Sequence, residues 1–133
     1  MVLVDTNIAV SLFVPDRRSQ ARQRLRRFAP YDLHLAPQTI YELYSVLTRS
    51  GGSNGYAFSP TEAATAVEKL LRIAQTRPDP PGLRERWLDL VVRHGVTGKA
   101  SHDARLAAYA LELGLAAILT DDAGFARYGL PLV

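Results

Sequence analysis

The sequence contains no cysteine among its 133 residues, which excludes disulfides, thiolate metal sites and thiol nucleophiles. It has no apolar run approaching the about 20 residues that a membrane-spanning helix requires. It also lacks a glycine-rich phosphate loop, because the GGSNG segment at 51–55 neither follows a predicted strand nor precedes a P-loop lysine. No serine lies in a nucleophile-elbow pattern. These absences exclude several common kinds of functional site.

The composition is that of a folded globular domain. Apolar residues make up 47% and charged residues 22%, which argues against disorder. The length corresponds to one domain, so we expect a single domain over residues 1–133. A net charge of +3 permits a polyanionic partner without requiring one. Because Met1 is followed at once by a predicted strand, with no basic leader, we expect a cytoplasmic protein without a membrane partner.

Short apolar strands alternate with predicted helices along the chain. The predicted strands cover residues 2–4, 33–36, 116–119 and 130–133, with 95–98 as a turn or a very short strand. The predicted helices cover residues 8–14, 16–28, 37–47, 60–74, 83–94 and 99–113, with loops at 51–59 and 77–82. Because the connections between strands are too long for hairpins, the sheet should be mostly parallel with helices on both faces.

Proline and capping residues predict where several helices begin. Asp16 is predicted to cap the second helix, and Pro37 to open the third. Ser59, Pro60 and Glu62 have the spacing of a capping box with proline at the first helical position. The residues predicted to face the core from the second and third helices are Ala21, Leu25, Phe28, Ile40, Leu43, Tyr44 and Leu47.

Acidic residues from distant segments are predicted to meet at the carboxyl edge of the sheet. Asp5 follows the first strand, and Asp121 and Asp122 follow the strand that ends at residue 119. Glu42 lies in the second turn and Asp103 in the first turns of helices that should begin at this same edge. Clustered carboxylates repel one another, and a divalent cation removes that conflict. Oxygen ligands without histidine or cysteine favour Mg²⁺ or Mn²⁺, which suit phosphodiester hydrolysis.

Each of these acids also has an ordinary structural explanation. Asp5 could cap the first helix, and Glu42 could be a solvated helix position. Asp103 could be favoured by the helix dipole, and Asp121 and Asp122 could form a turn pair. All of these explanations would have to coincide at one edge of one sheet, which favours a shared site.

Other polar residues are less informative. His102 is expected at the surface or facing RNA rather than as a metal ligand, because adjacent helical positions point about 100° apart. Arg18, Arg22 and Arg26 recur at every fourth position of the second helix. They form either a ridge for a phosphate backbone or a solvated face, and the sequence leaves both interpretations open.

Four motifs, in this order and spacing, resemble those of a known family. The segments DTNI at 5–8, YEL at 41–43, HDARLAA at 102–108 and ILTDDAGF at 118–125 resemble the PIN-domain ribonucleases, and most of all the VapC-like toxins of type II toxin–antitoxin pairs. The resemblance implies a three-layer α/β/α sandwich on a mostly parallel sheet of about five strands. It also implies a Mg²⁺- or Mn²⁺-dependent endoribonuclease, a homodimer, and a small antitoxin that enters the acidic groove.

The resemblance also implies roles for the acids. Asp5 corresponds to the first metal ligand, Glu42 to the second acidic residue and Asp103 to the third. The fourth acid of the family stands two residues after the threonine of the last strand, which favours Asp122. The residues implied to orient the metal ligands by hydrogen bonds are Thr6, Asn7, Thr120 and Asp121.

Two positions depart from the family pattern. Asp121 fills a position that is often basic or neutral in the family, so the choice between Asp121 and Asp122 as the fourth acid stays open. Gly124 stands where many members carry a further acidic residue. The metal site should survive both departures, which affect the region near the substrate.

The hypothesis is therefore a metal-dependent endoribonuclease, with two alternatives. One alternative is a PIN-like fold that only binds RNA or protein. Such a protein would be expected to lack one of the four acids, and all four are present here. The other is a nuclease that acts on DNA with the same metal site, since the metal mechanism does not itself detect the 2′-hydroxyl.

Overall fold

A four-stranded parallel sheet lies at the centre of the computed structural model, which describes residues 1–52 and 55–133. The strands are β1 (Val2–Val4), β2 (Leu33–Leu35), β3 (Gln75–Thr76) and β4 (Ala117–Leu119). Their order across the sheet is β3-β2-β1-β4, and every neighbouring pair is parallel. The predicted mostly parallel sheet is confirmed, and it places the carboxyl ends of β1 and β4 side by side.

Helices cover both faces of this sheet. They are α1 (Thr6–Ser11), α2 (Pro15–Leu25), α3 (Pro37–Thr48), α4 (Pro60–Leu71), α5 (Leu83–Arg93) and α6 (Ala100–Glu112), with 3-10 helices at Pro30–Asp32 and Ala123–Tyr128. Side chains of a strand alternate between faces, so Val2 and Val4 pack in one core with α1 to α4. Leu3 packs in a second core with α5 and α6. The expected α/β/α sandwich is therefore confirmed.

Helix starts follow the predicted proline and capping signals, with one exception. The Ser59 side chain accepts a hydrogen bond from the Glu62 backbone N–H, and the Glu62 carboxylate accepts one from the Ser59 backbone N–H, so the predicted capping box is formed. Pro37 opens α3 as predicted. The prediction for Asp16 is wrong, because Pro15 occupies the first position of α2 and Asp16 lies within its first turn.

Several predicted packing positions differ from the structure. Tyr44 is 39% exposed, and the buried residues of α3 are Thr39, Leu43 and Leu47. Phe28 lies beyond the end of α2 and packs partly against the core from the following turn. The polar strand β3 was not predicted, because its two residues are exposed and carry no apolar pattern.

Two predicted elements are also shorter in the structure. Within the described residues, the predicted strand at 130–133 is reduced to a parallel bridge between Ile118 and Leu132. The predicted helix over 60–74 ends at Leu71. In the predicted loop at 51–59, residues 53 and 54 lie outside the described residues. None of the described helices is long and apolar enough to cross a membrane.

Candidate active site

Asp5 lies at the carboxyl end of the central strand β1 and is only 3% exposed. Its backbone N–H donates to the Leu119 carbonyl at 3.0 Å, which continues the pairing with β4. Asp5 occupies the N-cap position of α1, but among the described residues its side chain accepts no capping hydrogen bond. Instead, its Oδ2 accepts a hydrogen bond from the Thr120 hydroxyl at 2.7 Å. The capping explanation therefore does not account for this side chain.

Glu42 approaches the same edge from α3 and is half-buried. Its Oε2 accepts a hydrogen bond from the Thr6 hydroxyl at 2.6 Å. Its Oε1 accepts one from Gln38 Nε2 at 2.7 Å. Glu42 is therefore held against the residue next to Asp5 and is not a freely solvated helix position.

Asp122 follows β4 and caps the 3-10 helix Ala123–Tyr128, with its Oδ1 accepting from the Gly124 backbone N–H at 2.7 Å. The turn explanation is therefore correct for this residue, but the residue has a second connection. Its own N–H donates to the Thr120 hydroxyl at 2.9 Å. Because Thr120 also donates to Asp5, one threonine joins the Asp122 backbone to the Asp5 carboxylate.

We call Asp5, Glu42, Asp103 and Asp122 the acidic cluster. The pKa of Asp5 is raised to about 6, mainly by burial and to a lesser extent by the charges of Asp103 and Asp122, while the Thr120 hydrogen bond opposes the shift. Burial also raises the pKa of Asp103, which lies in the first turn of α6, and repulsion from Asp122 and Glu42 adds to the effect. The charges of Asp103 and Asp122 therefore act on Asp5, and those of Asp122 and Glu42 act on Asp103.

The acidic cluster offers carboxylate oxygens, the ligands that Mg²⁺ and Mn²⁺ prefer. In residues 1–52 and 55–133, the His, Asp and Glu side chains form no group of three arranged to hold a metal ion. Both carboxylate oxygens of Glu42 and one of Asp122 accept hydrogen bonds from the protein. Asp5 and Asp103 supply carboxylate oxygens whose mutual repulsion a divalent cation would relieve. These two acids are therefore the candidates for direct metal contact.

Asp121 has a different partner from the members of the acidic cluster. It forms an ion pair with Arg24, which also donates to the backbone carbonyls of Thr120 at 3.1 Å and Val133 at 2.9 Å. This position favours Asp122 as the fourth acid. Asn7, the residue after Thr6, is exposed.

Three polar residues near the acidic cluster were not predicted from the sequence: Gln38, Arg105 and Arg127. Gln38, one helical turn before Glu42, also donates to the His102 carbonyl at 2.9 Å and accepts from Arg105 at 3.0 Å. Arg127 donates from Nε to the Gly124 carbonyl at 3.0 Å, and its charge opposes the larger effect of burial on the pKa of Asp103. The i, i+4 spacing to Glu42 is a signal that could have found Gln38. Nothing in the sequence points to the two arginines.

The remaining predicted surface residues are exposed. His102 is exposed, as expected. Arg18, Arg22 and Arg26 are also exposed, and the last two line a groove of about 480 Å³ together with Lys69. Exposure fits both the solvated-face and the phosphate-ridge interpretation of these arginines.

Comparison with known proteins gives consistent matches along the whole chain. The model of the PIN domain family matches residues 2–130. The chain is 34% identical to Ribonuclease VapC41 of Mycobacterium tuberculosis, over 97% of this chain and 94% of that protein.

Solved structures share the fold at lower identity. FitAcB from Neisseria gonorrhoeae has a TM-score of 0.75 at 19% identity, covering 99% of this chain and 96% of that chain. VapC20 of Mycobacterium tuberculosis, a toxin that cleaves the sarcin–ricin loop, has a TM-score of 0.75 at 20% identity, covering 98% and 96%. VapBC2 from Rickettsia felis, bound to a promoter DNA fragment, has a TM-score of 0.71 at 15% identity, covering 100% and 98%.

Proposed function

Because the chain belongs to the PIN-domain family and is homologous to VapC ribonuclease toxins, we propose that it hydrolyses RNA with a metal ion at the acidic cluster. The observation that carries this proposal is the meeting of four acids from separate elements. Asp5 comes from the end of β1, Glu42 from α3, Asp103 from α6 and Asp122 from the loop after β4. The charges of neighbouring acids raise the pKa of both Asp5 and Asp103, and a bound cation would relieve this repulsion.

The proposed cofactor is Mg²⁺ or Mn²⁺, with Asp5 and Asp103 as its direct ligands. When bound, such an ion polarises the attacking water and neutralises charge on the scissile phosphate. Thr120 fixes the orientation of the Asp5 carboxylate through a 2.7 Å hydrogen bond. Glu42 and Asp122, each held by protein donors, complete the acidic pocket as ligands, through bound water or by orienting the attacking water.

Arg127 is proposed to contact a phosphate of the RNA. Its guanidinium lies beside Gly124, and its charge reaches Asp103. Within the part of the chain that the structure describes, Arg127 forms no ion pair with a carboxylate. A cation next to an acidic cluster suits a substrate whose phosphates are negative.

The proposed biological role is that of the toxin in a toxin–antitoxin pair. Solved relatives include the VapBC and FitAB assemblies, which support a small antitoxin as the partner that enters the groove at the acidic cluster. We place the homodimeric enzyme in the cytoplasm, where RNA is accessible, with residues 1–133 acting as one functional domain.

Cleavage assays on RNA and on DNA of the same sequence test this function. The wild type should cleave RNA in Mg²⁺ but not in EDTA. Asp5→Asn should reduce the cleavage rate by more than about 100-fold. That is the upper range of loss for a residue that only orients a metal ligand. Asp89→Asn, which alters an exposed ion pair with Arg93 on α5, is the matched control and should keep full activity.

Three outcomes would contradict the proposal. Full RNA cleavage by Asp5→Asn would remove the acidic cluster from the chemistry. Binding of RNA without any metal-dependent cleavage by the wild type would indicate a binding module. Equal cleavage of DNA and RNA would indicate a nuclease without the proposed substrate preference.

A further inference from the structure

We propose that Gln38 and Arg105 are positioning residues of the active site, which fix the orientation of the Glu42 carboxylate through one continuous chain of hydrogen bonds. We call this pair the Arg105–Gln38 relay. The inference rests on the proposed function, in which Glu42 is a member of the acidic cluster.

The relay connects a surface carboxylate to Glu42 atom by atom. Arg105 donates from Nη2 to Asp79 Oδ2 at 2.6 Å and from Nη1 to Gln38 Oε1 at 3.0 Å. Gln38 then donates from Nε2 to Glu42 Oε1 at 2.7 Å. The other oxygen of Glu42 accepts from Thr6 at 2.6 Å. Both carboxylate oxygens of Glu42 are therefore held, one by the relay and one by α1.

Arg105 determines which way the Gln38 amide faces. A guanidinium has only donors, so only the carbonyl end of the Gln38 amide can face it. The amide NH₂ then faces two acceptors, Glu42 Oε1 and the His102 carbonyl at 2.9 Å. In the flipped orientation, the carbonyl oxygen of Gln38 would face those acceptors and the NH₂ would face the guanidinium. Arg105 therefore selects the one orientation in which Gln38 donates to Glu42.

The relay also connects the two helices that carry acids of the cluster. Gln38 and Glu42 belong to α3, whereas Arg105 belongs to α6, two residues after Asp103. The hydrogen bond from Gln38 to the His102 carbonyl crosses between the same helices. Because Gln38 is half-buried and the Arg105 side chain is 32% exposed, water shields these bonds only partly. The relay therefore fixes α3 relative to α6 at the acidic cluster.

Arg105→Met, Gln38→Met and the double variant test the relay. The matched control is Arg86→Met, which removes another arginine–carboxylate contact, from Arg86 Nε to Glu112 Oε1 at 2.7 Å, between α5 and α6. We measure kcat and KM on an RNA oligonucleotide in Mg²⁺, and the dissociation constant of Mn²⁺ without RNA.

Each single relay variant should lower kcat by about 10- to 100-fold, the range for residues that orient metal ligands, with KM unchanged. Each should also weaken Mn²⁺ binding, whereas Arg86→Met should change neither quantity. The double variant should be no worse than Gln38→Met alone, because both residues act through one hydrogen bond to Glu42. Arg105→Lys, which keeps a donor facing Gln38 Oε1, should recover part of the lost kcat.

Two kinetic outcomes would overturn the relay. A raised KM with unchanged kcat in Arg105→Met would mean that Arg105 contacts RNA instead of positioning Glu42. Losses of kcat that multiply in the double variant would mean that the two residues act separately.

Failure of the proposed function is distinguishable from failure of the relay. If the wild type neither binds Mn²⁺ nor cleaves RNA, the proposed function fails. Urea unfolding of the wild type, Arg105→Met, Gln38→Met and the double variant in EDTA still tests the hydrogen bonds. If the relay is correct, the shifts of the urea midpoint in the two single variants will not add up in the double variant. Additive shifts would overturn the relay.

Discussion

A single hydroxyl, that of Thr120, connects two acids of the cluster. It donates to Asp5 Oδ2 at 2.7 Å and accepts from the Asp122 backbone N–H at 2.9 Å. A threonine hydroxyl can do both because it has one hydrogen and two lone pairs. At the scale of the residue, the site therefore depends on a neutral side chain as much as on the acids themselves.

Thr120→Val should damage the site although it keeps the shape of the side chain. It removes the donor to Asp5 and leaves the Asp122 N–H without its acceptor, at a cost of about 1–3 kcal/mol in the free energy of unfolding. The kcat for RNA should fall by about 10- to 100-fold. Thr120→Ser, which keeps the hydroxyl, should retain most of the stability and most of the kcat of the wild type. Equal activity of the valine and serine variants would contradict this role.

The raised pKa of Asp5 predicts how the stability of the metal-free protein depends on pH. The pKa of Asp5 is about 6 in the folded state, whereas the ordinary pKa of an aspartate side chain is 3.8. The folded state therefore binds more protons in this window, so the free energy of unfolding decreases as pH rises through it. The decrease by pH 7 should be at most roughly 3 kcal/mol, from the linkage of the two pKa values.

Asp5→Asn should therefore be more stable than the wild type at pH 7 in EDTA, and nearly equal to it at pH 4. Asparagine removes the buried charge while its carbonyl oxygen can still accept from Thr120. Urea unfolding from pH 4 to 7.5 measures this, with Asp89→Asn as the exposed control. Added Mg²⁺ should stabilise the wild type and not the variant. A variant that is less stable than the wild type at pH 7 in EDTA would contradict the assignment.

At the scale of the element, what could be predicted depended on the kind of signal in the sequence. The capping box at Ser59 and the proline start of α3 are local, so the sequence predicts them correctly. The strand β3 forms because it pairs with His34 and Leu35, and no local sequence pattern predicts that pairing. The predicted cap at Asp16 fails because Pro15 is the stronger helix-start signal.

The acidic cluster shows the same division. Each acid lies next to a predicted strand end or helix start, so the topology alone brings the four together. The positions of Gln38 and Arg105 depend on how α3 and α6 pack, which the sequence does not specify. Likewise, the family pattern only favours Asp122 over Asp121, and the contacts that separate the two, Asp121 with Arg24 and Asp122 with Thr120, come from the fold.

The capping box offers a prediction about α4 by itself. Ser59→Ala removes the side-chain acceptor for the Glu62 N–H and should cost about 1 kcal/mol in the free energy of unfolding. The kcat for RNA should not change, because α4 carries no member of the acidic cluster. Thermal unfolding and the cleavage assay measure the two effects, and Ser59→Asp, which retains a capping oxygen, is the control. A large loss of kcat in Ser59→Ala would contradict this separation.

At the scale of the whole molecule, the net charge of +3 is small, so RNA binding should depend on where cations lie rather than on their number. The acidic cluster would repel RNA without local compensation. Arg127 lies beside it, whereas Arg93 is paired with Asp89 on α5.

Arg127→Gln should therefore reduce the salt dependence of RNA binding. The slope of log affinity against log salt concentration should fall by about 1, as expected for the loss of one phosphate contact. Arg93→Gln should leave the slope unchanged. Binding measured by fluorescence anisotropy in EDTA, over a series of KCl concentrations, gives both slopes. An unchanged slope for Arg127→Gln would exclude the phosphate contact.

The hydrogen bond between Asp5 and Thr120 joins residues separated by 115 positions in the chain. During translation, Asp5 leaves the ribosome long before Thr120 and Asp122 have been synthesised. Until then β1 lacks its neighbour β4, and the hydroxyl that orients Asp5 does not yet exist. A chain in synthesis therefore lacks the hydroxyl that orients Asp5 until residue 120 has been added, so the acidic cluster forms only after β4 has paired with β1.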